Sequence, residues 1–366
     1  MPRPAFFPDV QTARRWKIAL GMVAAWVAAA AITGALVAPP EEPARPVVTL
    51  AFGVVVGALS AAFELVMLPR YVRRLTSGRV LLVRTGYYVV VIALVVVVLA
   101  GLVGAVQLGV RPREVFASSD FVAFLGSRQF LAIVALLTLA SFLINFARQV
   151  RLMLGPGTLW SLLLGRYARP VAEERVFLFL DLTASTALAE RLGPARFNDF
   201  KNDFFHDVSE PVLATRGQIY QYVGDEVVVT WRVRNGRASG NALRTFFLIE
   251  DAVEVQRARY ERRYGEAPAF KAGLHAGPVV TAEIGDLKKD IVHSGDAVNV
   301  AARIEAECRP RGRRLIISER VLELTEVPLD AEIEDLGLVA LRGRDGPVRI
   351  YGVHRLATRE PTRRLS

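Results

Sequence analysis

The stretch YQYVGDEVVVTW, residues 220–231, decides how the second half of the chain folds. QIYQYVG and EVVVTW are both β-rich, and only Gly224-Asp225 separates them, which is the spacing of a tight hairpin. The turn also places two adjacent carboxylates, Asp225 and Glu226, in the most β-prone part of the chain. Upstream, ERVFLFLDL (174–182) is an apolar run of strand length that ends in Asp181. STALAERLG and ARFNDFKNDFFHDVSEPVLATRG follow with helical spacing and stop at Gly193 and Gly217. Downstream come a long helix over 239–264, strands FKAGLHAG and PVVTAEIG, a helix in GDAVNVAARIEAEC and a strand in RLIIS. Two more strands fall within 331–355. Helices alternate with strands, yet some strands are adjacent hairpin partners. That pattern predicts an antiparallel or mixed sheet covered by helices, an α/β domain with a ferredoxin-like βαββαβ core.

The first half reads differently. The chain has 366 residues and is 52% hydrophobic, with a mean hydropathy of +0.31, and the apolar excess lies before residue 150. Four stretches, 16–38, 48–68, 86–108 and 129–147, each reach the roughly 20 residues a helix needs to cross about 30 Å of hydrocarbon. A cleaved signal peptide would explain the first stretch but not the three that follow. Arg3, Arg14 and Arg15 precede the first span and Lys17 lies at its start, and Arg70, Arg73, Arg74, Arg79 and Arg84 fill the second loop. Arg148 and Arg151 follow the fourth span. The positive-inside rule then expects a multi-pass protein of the cell (inner) membrane with both termini cytoplasmic. Net charge is +10. The arginines cluster beside apolar runs, so this charge points to the lipid bilayer and not to nucleic acid. One cysteine, Cys308, excludes an intramolecular disulfide, and four scattered histidines argue against a zinc site.

The expected layout is a cytoplasmic tail (1–15), a four-helix membrane bundle (16–147) and a juxtamembrane linker (148–172). A catalytic domain (173–356) and a short tail (357–366) complete it. Glu64, near the cytoplasmic end of the second span, reads either as a functional intramembrane acid or, the blander expectation, as a side chain that snorkels toward Arg70 or Arg73. Gly155-Pro156-Gly157 breaks the fourth helix. The leucine stripe after it (Leu159, Leu162, Leu163, Leu164) fits either a helix lying on the membrane or a coupling element between two subunits.

Several residues could carry chemistry. Asp181 ends a strand, and Leu182, Thr183, Ala184, Ser185 and Thr186 lead into a helix. Such a turn aims backbone N–H groups and the positive helix terminus outward, which suits a phosphate. If the strands ending in Asp181 and at Asp225 are neighbours, two carboxylates share one sheet edge and call for a divalent cation such as magnesium. Either acid alone would read as a turn or cap residue. Glu226 alternates to the other face of its strand and is expected to stand apart. Asn299 and Arg303, at i and i+4, share a helix face and in isolation read as an exposed polar surface.

Taken in order, FLFLDLTAST, YQYVGDEVV, HAGPVV and GDAVNVAARIE resemble the class III adenylate/guanylate cyclases of membrane-anchored, bacterial type, over nearly everything after residue 173. The resemblance implies a homodimer with sites at the subunit interface. One subunit would give Asp181, Asp225 and the Leu182 backbone to two Mg2+ (or Mn2+) ions. Thr183, Ala184, Ser185, Thr186 and Arg342 would bind phosphates. The other subunit would give Asn299 and Arg303 to the transition state. The family's base-reading positions fall on Gln221 and Val292, where a lysine and an aspartate or threonine are usual. Gln221 can donate or accept and Val292 can do neither. The acid expected of a guanine reader is absent, so ATP is the expected substrate. The segment YVGDEVVV is also similar to the GGDEF signature of diguanylate cyclases, but Val223 replaces its first glycine. A receptor that binds nucleotide without turnover is the remaining alternative.

Overall fold

The computed structural model describes residues 6–37, 46–67, 77–155, 158–233, 240–344 and 346–356. The chain divides into two compact units, Met1–Leu154 and Gly155–Ser366.

In the first unit, α1 (Phe6–Val37), α2 (Pro46–Ala62), α3 (Ser77–Leu108) and α6 (Arg128–Leu154) are long, while α4 (Pro112–Phe116) and α5 (Ser119–Leu125) are short. The four long helices contain candidate spans Ala19–Leu36, Pro46–Leu65, Gly78–Leu108 and Arg128–Val150. By length and composition these four helices are long and apolar enough to cross a membrane, which suggests a multi-pass membrane protein. Their shared core includes Trp26, Phe52, Val56, Tyr88, Ile92 and Leu137. The third span starts earlier than expected. Arg79 and Arg84 are helix residues, not loop residues, because Val80, Leu81, Leu82 and Val83 carry the apolar run back to Ser77. Arg84 is buried there beside Glu64. Arg70 and Arg73, the expected partners of Glu64, lie outside the described residues. The partners seen are Arg84 and Arg148.

The second unit begins with α7 (Thr158–Leu163) and continues as β1 (Val171–Leu182), α8 (Ser185–Leu192), α9 (Pro194–Ala214), β2 (Gln218–Val223), β3 (Glu226–Arg232) and α10 (Asn241–Tyr264). Then follow β4 (Phe270–Ile284), β5 (Asp290–Ser294), α11 (Asp296–Ala306), β6 (Leu315–Ser318), α12 (Glu319–Leu324), β7 (Ala331–Val339) and β8 (Val348–Arg355). The sheet order is β2-β3-β1-β4-β6-β8-β7, with β5 paired to β4. Its first four strands carry the 2-3-1-4 order of a βαββαβ core, all antiparallel.

Alternation along β1 builds both faces of the sheet. Val176, Leu178, Leu180 and Leu182 face α8, α9 and α10 with Phe200, Phe204, Phe246 and Trp231. Phe177 and Phe179 face the other way, with Val228 and with Ala297 and Ala301 of α11. The expected strands FKAGLHAG and PVVTAEIG are one continuous strand. Pro278 does not break it, because β4 pairs with β6 at 272–274 and with β5 at 280–284, and Pro278 lies between them.

Candidate active site

The hairpin turn is Gly224-Asp225, as its sequence implies. Gly224 has φ of 64° at the first turn position, which a glycine adopts without strain. Lys201 donates to the Gly224 carbonyl at 3.2 Å. In the register of β1 and β3, Asp181 lies directly opposite Glu226. Asp225 therefore stands one residue from the end of β1, and the two aspartates reach the same sheet edge.

Glu226 corrects the sequence reading. Directly opposed residues on antiparallel strands share a face, so Glu226 stands on the face of Asp181. It is half-buried, and burial pushes its carboxyl up to about 7, helped by the negative charges of Glu305, Asp181 and Asp225. Burial also raises Glu305 on α11. Four carboxylates thus converge where two were expected.

Lys271 is the cation among them. It lies opposite Asp181 on β4, donates to Asp181 Oδ2 at 3.0 Å and pairs closely with Glu305. Burial alone would lower its pKa, but the hydrogen bonds to Glu305 and Asp181 outweigh this and raise it. Lys271 and Glu305 were not singled out from the sequence. A lone lysine in an apolar strand was the available signal, since a half-buried lysine needs acids nearby.

The turn after β1 carries a left-handed alanine, Ala184, with φ 57° and ψ 29°. An L-residue rarely holds that conformation without a local reason. The amide of Thr183 donates to the Ala269 carbonyl at 2.8 Å and is engaged inside the fold. The amides of Ser185 and Thr186 start α8, where no intrahelical acceptor exists. Thr183, Ala184 and Thr186 are exposed and Ser185 is partly so.

On α11, Ala297, Val300, Ala301 and Ile304 are buried and Asn299 is exposed. The helix sits close to β4: a Cβ on Gly273 would come within 2.2 Å of the Glu305 amide nitrogen. Arg303 Nη1 is buried and has no hydrogen-bond partner. Its guanidinium lies near the turn of Arg342, since a Cβ on Gly343 would be 3.6 Å from Arg303 Nη2. Arg342 itself is exposed. Among the described residues, no hydrogen bond or ion pair joins Asn299 or Arg303 to Asp181 or Asp225.

At the base-reading positions, a bulge in β2 between Ile219 and Gln221 resets the register. Gln221 is exposed opposite Val228, on the α11 face. Tyr220, not Gln221, meets β5, where its hydroxyl accepts from the His293 amide at 3.3 Å. Val292 is partly buried opposite Ala282. His293 alternates to the other face, where Nδ1 lies 2.8 Å from Thr281 Oγ1. Burial takes its pKa down to about 4.

Residues 170–355, just over half the chain, match the model of the adenylate and guanylate cyclase catalytic domain. The chain belongs to this cyclase family. It is 42% identical over 201 residues to adenylate cyclase 2 of Rhizobium meliloti (strain 1021), covering 55% of each protein. It is 27% identical over 182 residues to the adenylate cyclase of Anabaena cylindrica, covering 48% of this chain and 36% of that protein. The chain thus spans about half, or less, of the length of these curated relatives. Among solved structures, a bacterial light-regulated adenylyl cyclase aligns with a TM-score of 0.53 at 22% identity, over 64% of this chain and 69% of that one. That likeness shows the cyclase fold.

Among the described residues, no group of three or more His, Cys, Asp and Glu side chains is arranged to hold a metal ion. The family is typically metal-dependent. A magnesium ion commonly takes one or two carboxylates and completes its shell with water and substrate phosphate, so the pair Asp181 and Asp225 fits such an ion without a third side chain.

Proposed function

We propose that the protein is a membrane-bound adenylate cyclase, converting ATP to 3′,5′-cyclic AMP and pyrophosphate in a homodimer. The observation that carries this reading is the separation of two half-sites on one chain. An acidic edge (Asp181, Asp225) and a helix face with Asn299 and Arg303 are both formed, yet among the described residues no hydrogen bond or ion pair joins them. A second copy, related by a two-fold axis, would complete each half with the other. The unpartnered Arg303 Nη1 fits this reading, because a buried guanidinium nitrogen requires an acceptor.

Asp181, Asp225 and the Leu182 carbonyl would hold two Mg2+ or Mn2+ ions. When bound, these supply the positive charge that acidifies the ribose 3′-hydroxyl and stabilises the leaving pyrophosphate. The protein's own groups do the remainder. The Ser185 and Thr186 amides, and Arg342, receive the phosphates. Asn299 of the partner copy orients the ribose. The 3′-oxygen loses its proton to solvent and attacks the α-phosphorus, and the bond from the α-phosphorus to the α–β bridging oxygen breaks to release pyrophosphate. Arg303 offsets the charge that grows on the α-phosphoryl oxygens. Gln221 reads the adenine edge through its amide while Val292 packs beside the ring. The name and 42% identity of the Rhizobium relative favour adenine over guanine. The arginines flanking the four candidate spans favour a cytoplasmic catalytic domain.

Complementation tests the two-subunit site. Asp225→Ala and Arg303→Ala chains, each inactive alone, should regain activity when co-expressed, because a mixed dimer carries one intact site. If the two chains associate and no activity returns, the interfacial site is wrong.

A further inference from the structure

The membrane unit holds a second cluster of charged groups, which the cyclase reaction does not use. Glu64 lies in a π-helical turn, Phe63–Met67, at the end of α2. Such turns inside helices often mark functional sites. Arg84 of α3 donates from Nη2 to Glu64 Oε2 at 3.1 Å, and its Nε lies 2.9 Å from Oε1. Arg148 of α6 places Nη1 3.0 Å from Oε2. The Tyr88 hydroxyl donates to Oε1 at 3.3 Å. Glu64 and Arg84 are each only 5% exposed.

The cluster is unbalanced. Two guanidinium groups face one carboxylate, which leaves one positive charge in excess, and among the described residues no other acid pairs with either arginine. The polar surroundings are incomplete as well. Arg84 Nη1, Ser60 Oγ and Thr85 Oγ1 are buried with no hydrogen-bond partner. At membrane depth an unsatisfied polar group costs several kcal/mol and an uncompensated charge costs more. A buried excess charge with idle donors at the end of a membrane span calls for an anion. The ends of α2 and α6 and the first turns of α3 meet there, close to one end of each of the candidate spans Pro46–Leu65, Gly78–Leu108 and Arg128–Val150.

We propose that Arg84 and Arg148, held by Glu64, form a binding site for a single anionic group of a membrane amphiphile, a phosphate or a carboxylate. Basic pockets between membrane helices suit such headgroups. Arg84 supplies Nη1, and partly exposed Arg148 supplies the excess charge on the accessible side. The site does not depend on the cyclase reading, and its test needs no turnover.

The experiment measures thermal unfolding of the full-length protein in phosphatidylcholine nanodiscs, with three additions: phosphatidylglycerol, oleate or inorganic phosphate. Phosphatidylglycerol or oleate should raise the unfolding midpoint by about 5 °C or more. Phosphatidylglycerol would mark a lipid phosphate as the source, oleate a carboxylate, and inorganic phosphate alone a soluble anion in place of an amphiphile. Arg148→Gln leaves a neutral Glu64–Arg84 pair, so it should fold and lose most of the rise. Arg84→Gln should lose it too. Arg79→Gln, an exposed arginine on the same helix, should keep it. No rise with any addition would overturn the proposal. So would an equal loss in Arg79→Gln and Arg148→Gln, which would mean surface attraction without a site, or a response to inorganic phosphate alone, which would remove the amphiphile.

Discussion

Replacing Lys271 with methionine tests whether the acidic edge is built for a cation. Lys271 pairs with Asp181 and Glu305, and the three side chains are 16%, 24% and 9% exposed. Methionine keeps the length and removes the charge. Four carboxylates would then face one another without a counter-ion. Removing one partner of a buried pair costs about 3–5 kcal/mol, and partial exposure of Asp181 places the expected loss near the lower end, about 3 kcal/mol. For a unit of this size each kcal/mol moves the unfolding midpoint by about 2–4 °C. The full-length variant should therefore unfold about 6–12 °C below the parent in chelator. Excess manganese should recover more than half of that loss, because a bound divalent ion restores positive charge at the same carboxylates. The assay is thermal unfolding of parent and variant with chelator and with manganese. An equal deficit under both conditions would refute the reasoning and leave Lys271 as an ordinary structural ion pair.

Other predictions follow from the same geometry. Asp181→Ala and Asp225→Ala should each abolish cyclic nucleotide formation in a folded chain; substantial activity in either purified variant would remove the metal assignment. Burial holds His275 and His293 down to about 4, below the 6.5 of an unfolded histidine, so their contribution is complete above about pH 6.5 and is lost as pH falls toward 4. Glu226 acts in the opposite sense between its ordinary 4.5 and about 7, as do the raised Glu250 and Glu305, so Glu226→Gln removes the group that opposes the histidines up to about pH 7. In that background the midpoint should fall steadily from pH 7 to pH 5, and a flat profile would contradict it. Gln221→Lys with Val292→Asp should strengthen the preference for ATP. A parent that already excludes GTP, or an unchanged kcat/KM ratio in the double variant, would show that these positions do not read the base.

The hairpin at Gly224-Asp225 was legible because turn chemistry is local: a glycine with positive φ between two β-rich runs leaves few alternatives. The two faces of β1 were legible as well, since its apolar run could only be buried on both sides. The surroundings of Asp181 were not. Glu226, Lys271 and Glu305 meet it through pairings across 45, 90 and 124 positions, and register decides which side chains share a face. Counting alternation from Asp225 along its own strand put Glu226 on the wrong side, whereas the cross-strand partner Asp181 places it correctly. The start of α3 was missed for a related reason. Arg84 looks like a loop residue until Glu64, 20 positions earlier, is known to neutralise it. The continuity of β4 through Pro278 depends on which neighbours pair where, and no window of sequence contains that.

Turnover by the full-length protein tests the central claim most directly. The purified chain, supplied with manganese and equal concentrations of ATP and GTP, should release 3′,5′-cyclic AMP and pyrophosphate as its main products. Cyclic GMP should form more slowly, and both products should vanish in Asp225→Ala. Nucleotide binding without any cyclic product, or a dinucleotide product, would contradict the account.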